Sequence, residues 1–437
     1  MTRNKFKSSI KRGTGEAILI LRKNPNLDVT DLIINASINN LAYDPQCEGD
    51  RGFYLYELIK LSANREKIEI ELLKKLSESV EDLYGDSQLF EIAKFMALDG
   101  NRKAKSIIYK RYLSFEDESI DSRAIIAIDD FYGLKFIAVT EGKRLLNNHN
   151  YSIFSHYILE YAKEFHPEID FKKKLKLESK NNKFIDAFLK EIQREKNQWK
   201  QSSLIKNKED YNSIMEKIEK KEKRPSFLGR LAKRYLSFED SIKLANNLEK
   251  ESDKNRIIKY LWIFSEIKYP LKIDNLFKFL DFKNQRIRGN VTQSLKFFKD
   301  DRIRKFALNK LNSKKFDTEH LELLVENYED NDDKIICKII KNIKNESKLD
   351  SFGIRVLDIY EKNETKKCLE PLKAIYDKTS CSICRSAVIE LMIKNKVLPD
   401  KIKEEIEYDS YEDTRKIFKK KYKKINKIKR DKNAKKI

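Results

Sequence analysis

From about residue 274 the sequence keeps a beat. Candidate helices begin near Gln285, Asp301, Asp317, Asp332, Asp350, Thr365, Ser380, Pro399 and Tyr411, about 15 residues apart, so helix pairs recur about every 30 to 35 residues. A single pair of that size cannot bury its apolar stripe alone, and neighbours of the same kind must complete the core. Several starts carry Asp, Ser or Thr, whose side chains satisfy the orphan N–H groups of a first turn. The apolar positions fit helical faces: Ile287, Val291, Leu295 and Phe298 in one helix, Ile335, Ile336, Ile339, Ile340 and Ile343 in another, and Ile383, Ala387, Val388, Leu391 and Met392 in a third. Each stripe is too wide for a strict coiled-coil seam. The clearest copy runs from Leu369 to Leu391: Leu-Glu-Pro-Leu-Lys-Ala-Ile-Tyr-Asp, seven residues, then Arg-Ser-Ala-Val-Ile-Glu-Leu.

Composition agrees with an all-α chain. The 437 residues contain only 11 Gly and 7 Pro, about 4% together, against roughly 12% in an average protein. Sheets with many turns need these residues and helix interiors exclude them. The N-terminus has no apolar core of a signal peptide, and no window approaches 18 apolar residues, so no membrane span is expected. The five cysteines, Cys47, Cys337, Cys368, Cys381 and Cys384, are sparse and odd in number, as suits a reducing, cytoplasmic compartment.

Four regions are expected. Residues 1–165 form a less regular helical region, with units near 16–24, 29–42, 51–62, 66–80, 86–98, 101–113, 119–131, 134–147 and 151–164. Residues 166–225 are rich in Lys, Glu and Asn and read as two polar helices forming an insertion or a joint, with Phe184, Ile185, Phe188, Leu189 and Ile192 as their apolar stripe. Residues 226–414 carry the repeats, and 415–437 form a basic terminal helix or tail.

An aspartate at the inter-helix turn and an arginine on the second helix recur: Asp281 before Arg286 and Arg288, Asp300-Asp301 before Arg302 and Arg304, Asp377 before Arg385, and Tyr408-Asp409 before Arg415. With Pro371, Leu372 and Ala387, this pattern resembles the HEAT-repeat family and its bacterial HEAT-like relatives, over roughly residues 226–420. The turn-rich segment around Asp44 to Arg51 also resembles the opening of bacterial HEAT-like proteins. The resemblance implies a superhelical α-solenoid of antiparallel helix pairs and a binding role. It implies no shared catalytic residues and no cofactor.

Charge singles out two places. Of a formal net charge of +22, residues 415–437 hold 13 basic residues and one acid, and residues 281–316 hold 11 basic and 3 acidic ones. Arg286, Arg288, Arg302, Arg304 and Lys305 sit at the starts of successive helices. In a repeat array such positions stack into a row of cations that can follow a phosphate backbone. The competing reading makes Arg288 and Arg304 structural partners of turn aspartates. Lys419, Lys420, Lys423 and Lys424 in the tail are the second candidate phosphate contact, against a plain solubilising cap.

Other constellations are thinner. Asp44, Cys47, Glu48, Asp50 and Arg51 put three acids, a thiol and an arginine in eight residues, a possible small site, although Asp50 is also placed to cap the helix beginning near Arg51. Cys381-x-x-Cys384 has the spacing of a zinc or redox pair but lacks a second pair, so no metal is expected. His149, His156, His166 and His320 stand without the carboxylate or cysteine partners that catalysis needs. Gly13-Thr-Gly15 follows no strand and is no phosphate loop. The function expected is non-enzymatic binding of a macromolecule, first nucleic acid. The rivals are a protein adaptor holding a partner on a concave face, and a HEAT-like DNA glycosylase using Trp199 or Trp262.

Overall fold

Side chains that can occupy the first-turn N–H groups set where the helices begin. Asn284 accepts from the Arg286 and Ile287 amides and opens the helix Gln285–Leu295. Asp300 does the same for Asp301–Leu311, Asn345 for Glu346–Lys362, and Thr365 for the 3-10 turn Lys366–Cys368 that leads into Leu369–Lys378. The computed structural model describes residues 2–78, 83–114, 122–148, 151, 156–204, 210–220, 226–313 and 316–420. Among them all regular structure is helical, in 26 α-helices and two 3-10 turns, with no strand. No helix there is long and apolar enough to cross a membrane.

The expected starts at Gln285, Asp301 and Asp332 match the helices found. The expected start at Asp350 falls four residues late, because Asn345 captures the Lys348 amide first. Near Asp317 only the short helix Glu319–Glu322 forms. In the first part of the chain, the units expected at 119–131 and 134–147 correspond to the two helical segments of Ser122–Asn147, parted at Asp129 and Asp130, whose backbone is not helical, a little earlier than expected. Asp130 takes φ +42° there. Asp129 is held by Lys105 Nζ at 2.6 Å and by Tyr109 Oη at 2.5 Å, which fixes the break. The opening helix Thr2–Arg12 escaped the sequence reading, since its only buried residues are Phe6, Ser9 and Ile10.

The chain divides into two compact units. One comprises Met1–Ile205, Ser380–Ile383 and Asp400–Ile437; the other comprises Lys206–Thr379 and Cys384–Pro399. In the first, the polar helix Lys183–Leu204 lays its stripe of Ile185, Phe188 and Ile192 against Ser122–Asn147. Residues 401–410 pack on the opening helices in this unit. Ser410 N–H donates to the Gly13 carbonyl at 2.8 Å, Lys401 pairs with Glu16 at 3.1 Å, and Arg22 lies 4.3 Å from the Tyr408 ring centre. Gly13 and Gly15 make the approach possible. Gly13 has φ +70°, and a Cβ at Gly15 would collide with the Glu405 carbonyl.

In the second unit, alternate helices form a packed row. Ser226–Tyr235 rests on Lys254–Phe264, which rests on Gln285–Leu295, then Glu319–Glu322, then Glu346–Lys362. Asp332–Asn342 packs in the same alternate manner on Leu369–Lys378.

One device recurs in both units. A helix ends with carbonyl oxygens that have no intrahelical partner, and its dipole makes that end negative. Here a cationic side chain of a neighbouring helix takes those oxygens. Arg111 Nη1 donates to Leu76 O and Glu78 O at 3.0 and 2.6 Å. Lys378 Nζ donates to Ile340 O, Lys341 O and Ile343 O at 2.8 to 3.1 Å. Lys394 Nζ reaches Glu361 O at 2.7 Å. Lys259, 6% exposed, donates to the carbonyls of Lys217, Ile218 and Lys220 at the end of Tyr211–Glu219. Hydrogen bonds to charged groups contribute more than neutral ones, so Lys259→Met should cost about 3 kcal/mol. Urea unfolding should show this as a lower midpoint at unchanged slope, while the exposed Lys254→Met stays within about 0.5 kcal/mol of the parent.

Candidate functional site

The five cations expected to line a stripe have different fates. Arg288 Nη1 donates to the carbonyls of Phe282 and Lys283 at 2.6 and 2.8 Å, which ties its helix to the turn before it. Arg415 repeats that geometry on Asp409 O and Ser410 O, both at 2.7 Å, six and five residues back as for Arg288. The device read from sequence as aspartate-to-arginine is, at these two places, arginine to turn carbonyl.

Arg304 holds Asp332 by two bonds of 2.7 and 2.9 Å, and also reaches Asn327 O and Glu329. The Arg304 and Asp332 side chains are 16% and 4% exposed, so this is an inward pair. Arg302 is exposed but committed, with Asp300 on one side and Asp274 on the other at 2.7 and 2.5 Å, and the Phe277 ring 4.6 Å away. The hydrogen bonds it donates to those two carboxylates raise its pKa. The partners lie 28 residues to either side, Asp274 below Arg302 and Asp332 above Arg304, about one repeat in each direction.

Arg286 and Lys305 are exposed and form no ion pair among the described residues. In the tail, Lys419 and Lys420 are likewise exposed after the helix Glu412–Phe418. Lys423 and Lys424 lie outside the described residues. Arg415 does not join them, since it turns inward over the Phe53 ring at 4.9 Å and burial lowers its pKa.

The acidic loop is a fold device in its described contacts. Asp44 caps the short helix Pro45–Glu48 through the Cys47 amide, and Glu48 Oε1 accepts from the Asp44 amide in return. Glu48 Oε2 accepts from Arg51 Nη2 at 3.3 Å and from Ser382 N and Oγ at 3.2 and 2.5 Å. Arg51 Nη1 also donates to Lys11 O at 2.8 Å, and Asp50 takes the Gly52 amide at 2.9 Å. Cys47 is exposed, and its hydrogen bond to Asp44 pushes the thiol pKa up, away from a thiolate nucleophile.

Cys381 and Cys384 sit at the start of Ser382–Lys394, buried and half-buried. Among the described residues no group of His, Cys, Asp and Glu has the geometry to hold a metal. Burial raises the Cys368 thiol to about 11. His149 and the His156 side chain lie outside the described residues, as does the Trp199 side chain. Trp262 is half-buried on Lys254–Phe264.

The sequence reading missed a set of asparagines. Asn327 Nδ2 donates to Leu323 O and to the Phe298 carbonyl in the turn after Gln285–Leu295, and its Oδ1 accepts the Asp300 amide. Asn363 bonds Ile359 O and Val325 O, and Asn395 bonds Leu391 O and the Thr365 amide. Asn363 and Asn395 each follow the last residue of a helix, Asn327 closes the turns after Glu319–Glu322, and each clamps an earlier turn. Their spacings of 36 and 32 residues follow the same beat, which is the signal that could have found them.

Comparison with protein-family models, with curated proteins and with solved structures gives no match.

Two outcomes follow. Arg304→Ala leaves Asp332 buried without its cation and should cost about 3 kcal/mol, whereas Arg286→Ala should stay within about 0.5 kcal/mol in chemical unfolding. His320 packs tilted against Phe306, with ring centres 5.7 Å apart, and burial lowers its pKa, with the Asp317 carbonyl acting in the opposite sense. The folded chain therefore binds that proton less well than the unfolded chain. Its contribution is full above about pH 6.5 and is lost as pH falls through the lower folded value. The urea midpoint should drop from pH 7 to about pH 5.5 by more in the parent than in His320→Gln.

Proposed function

We propose that the chain is a non-enzymatic HEAT-like α-solenoid that binds nucleic acid through backbone phosphates. The alternate packing of helices in the second unit and the clamps at Asn327, Asn363 and Asn395 support the repeat reading. The binding reading rests on the charge left over after internal pairing. Between Lys272 and Lys310, the exposed Lys272, Lys278, Lys283, Arg286, Lys299 and Lys305 form no ion pair among the described residues. The exposed acids of that stretch outside ion pairs are Asp281 and Asp301, since Asp274 is held by Arg302. Solvated lysines in the turns that join successive short helices, with Arg286 and Lys305 near the starts of two of them, suit contact with phosphates, which demands charge and reach rather than base-edge geometry. Lys419 and Lys420 extend the same chemistry toward the C-terminus.

Fluorescence anisotropy of a labelled single-stranded RNA and of a duplex DNA, titrated between about 50 and 200 mM salt, tests this. Affinity should fall steeply with salt, and Arg286→Ala with Lys305→Ala should reduce the slope of log K against log salt by about 2. A flat salt dependence, or a slope unchanged in the double variant, rules out phosphate contact by these residues.

A further inference from the structure

The second unit carries a groove that the phosphate reading does not use. It opens between the end of Ser226–Tyr235, the start of Phe238–Lys250 and the strap Ile267–Leu271, with a volume of about 530 Å³. Its floor is aliphatic: Leu236, Ile267, Pro270 and Leu271 are only half-buried, with Phe298 beside them. Phe238, the first residue of Phe238–Lys250, stands at the edge, 71% exposed. The strap is fixed from below. Tyr269 is buried edge-on against Phe264, with ring centres 4.9 Å apart, and donates to Glu249 at 3.0 Å.

The rim is cationic. Lys233 and Lys268 are exposed and form no ion pair among the described residues, and Lys268 lies 5.1 Å from the Phe298 ring centre. The groove's hydroxyls are already committed, Ser237 to capping Asp240 and Ser241 to the Phe238 carbonyl. The backbone N–H groups of Lys268 and Leu271, on this non-helical strap, find no protein acceptor among the described residues.

We propose that this groove binds an extended acidic peptide of a partner protein, one that alternates aliphatic or aromatic residues with carboxylates. Apolar side chains enter the aliphatic floor beside Phe238, carboxylates meet Lys233 and Lys268, and the strap amides take peptide carbonyls, as in recognition of extended chains. Charge complementarity fixes the sign of the partner, and the lack of further donors in the groove disfavours a polar small molecule. A nucleic-acid strand is the poorer occupant, because base stacking wants a run of exposed aromatic faces, and of the three lining aromatics Tyr269 is buried and Phe298 half-buried beside Lys268, which leaves Phe238 alone.

The test uses the full chain and a fluorescein-labelled Leu-Glu-Phe-Asp-Leu-Glu peptide in anisotropy titrations. A counterpart with Gln and Asn in place of the acids, and a labelled RNA, run beside it. The acidic peptide should bind at least about tenfold more tightly than the neutral one. Phe238→Ala, and separately Lys233→Glu with Lys268→Glu, should each weaken it by about tenfold while RNA binding is unchanged. All three side chains are exposed, so the variants should keep the parent's circular dichroism and urea midpoint. Equal binding of the neutral peptide, or parental affinity in the groove variants, overturns the proposal. So does a charge-reversed variant that loses RNA and keeps the peptide. The RNA titration reads the phosphate proposal independently, so the two can fail separately.

Discussion

Short helices that end against their neighbours depend on what happens to their last carbonyls. Buried carbonyl oxygens without partners would cost more than the short helices of this chain can offset. The protein meets this with cations taken from adjacent helices: Arg111, Lys259, Lys378 and Lys394 each reach the end of another helix. Arg288 and Arg415 do the same for the turn before their own helix. Such bonds use basic residues without using acidic ones. Part of the excess of Lys and Arg over Asp and Glu therefore has a structural use, independent of any ligand.

That division of labour decides what is left for function. Arg288, Arg302 and Arg304 are held by the chain, whereas Arg286 and Lys305 face solvent. A stripe of five cations becomes two, joined by exposed lysines that no motif had marked. The acidic loop loses its chemistry in the same way. Glu48 and Arg51 are engaged with Ser382 and Lys11, so the one reactive atom left near the surface, the Cys47 thiol, is held protonated by Asp44.

Much of the helical register was legible because its determinants are local. Capping residues and apolar spacing placed Gln285, Asp301 and Asp332 at helix starts, and the stripe of Ile185, Phe188 and Ile192 is buried as its period required. The failures are also physical. Thr2–Arg12 has too few apolar positions to show a period, and the break at Asp129 depends on Lys105 and Tyr109 from another helix. Gly13 and Gly15 were readable only as a failed phosphate loop, because their reason is the arrival of Glu405 and Ser410 from the far end of the chain.

The sequence by itself determined the helical class, most helix positions and the beat that spaces them. Helix hydrogen bonds join residues four apart, and apolar periodicity repeats every few residues, so both are written locally. The tertiary structure decided which charges are internal and which face solvent. Arg302 and Arg304 meet their carboxylates 28 residues away, and Lys378 meets its carbonyls 35 to 38 residues away. Whether a lysine or arginine serves the fold or a ligand is settled by what lies beside it in space, and neighbours at that separation leave no mark in the local sequence.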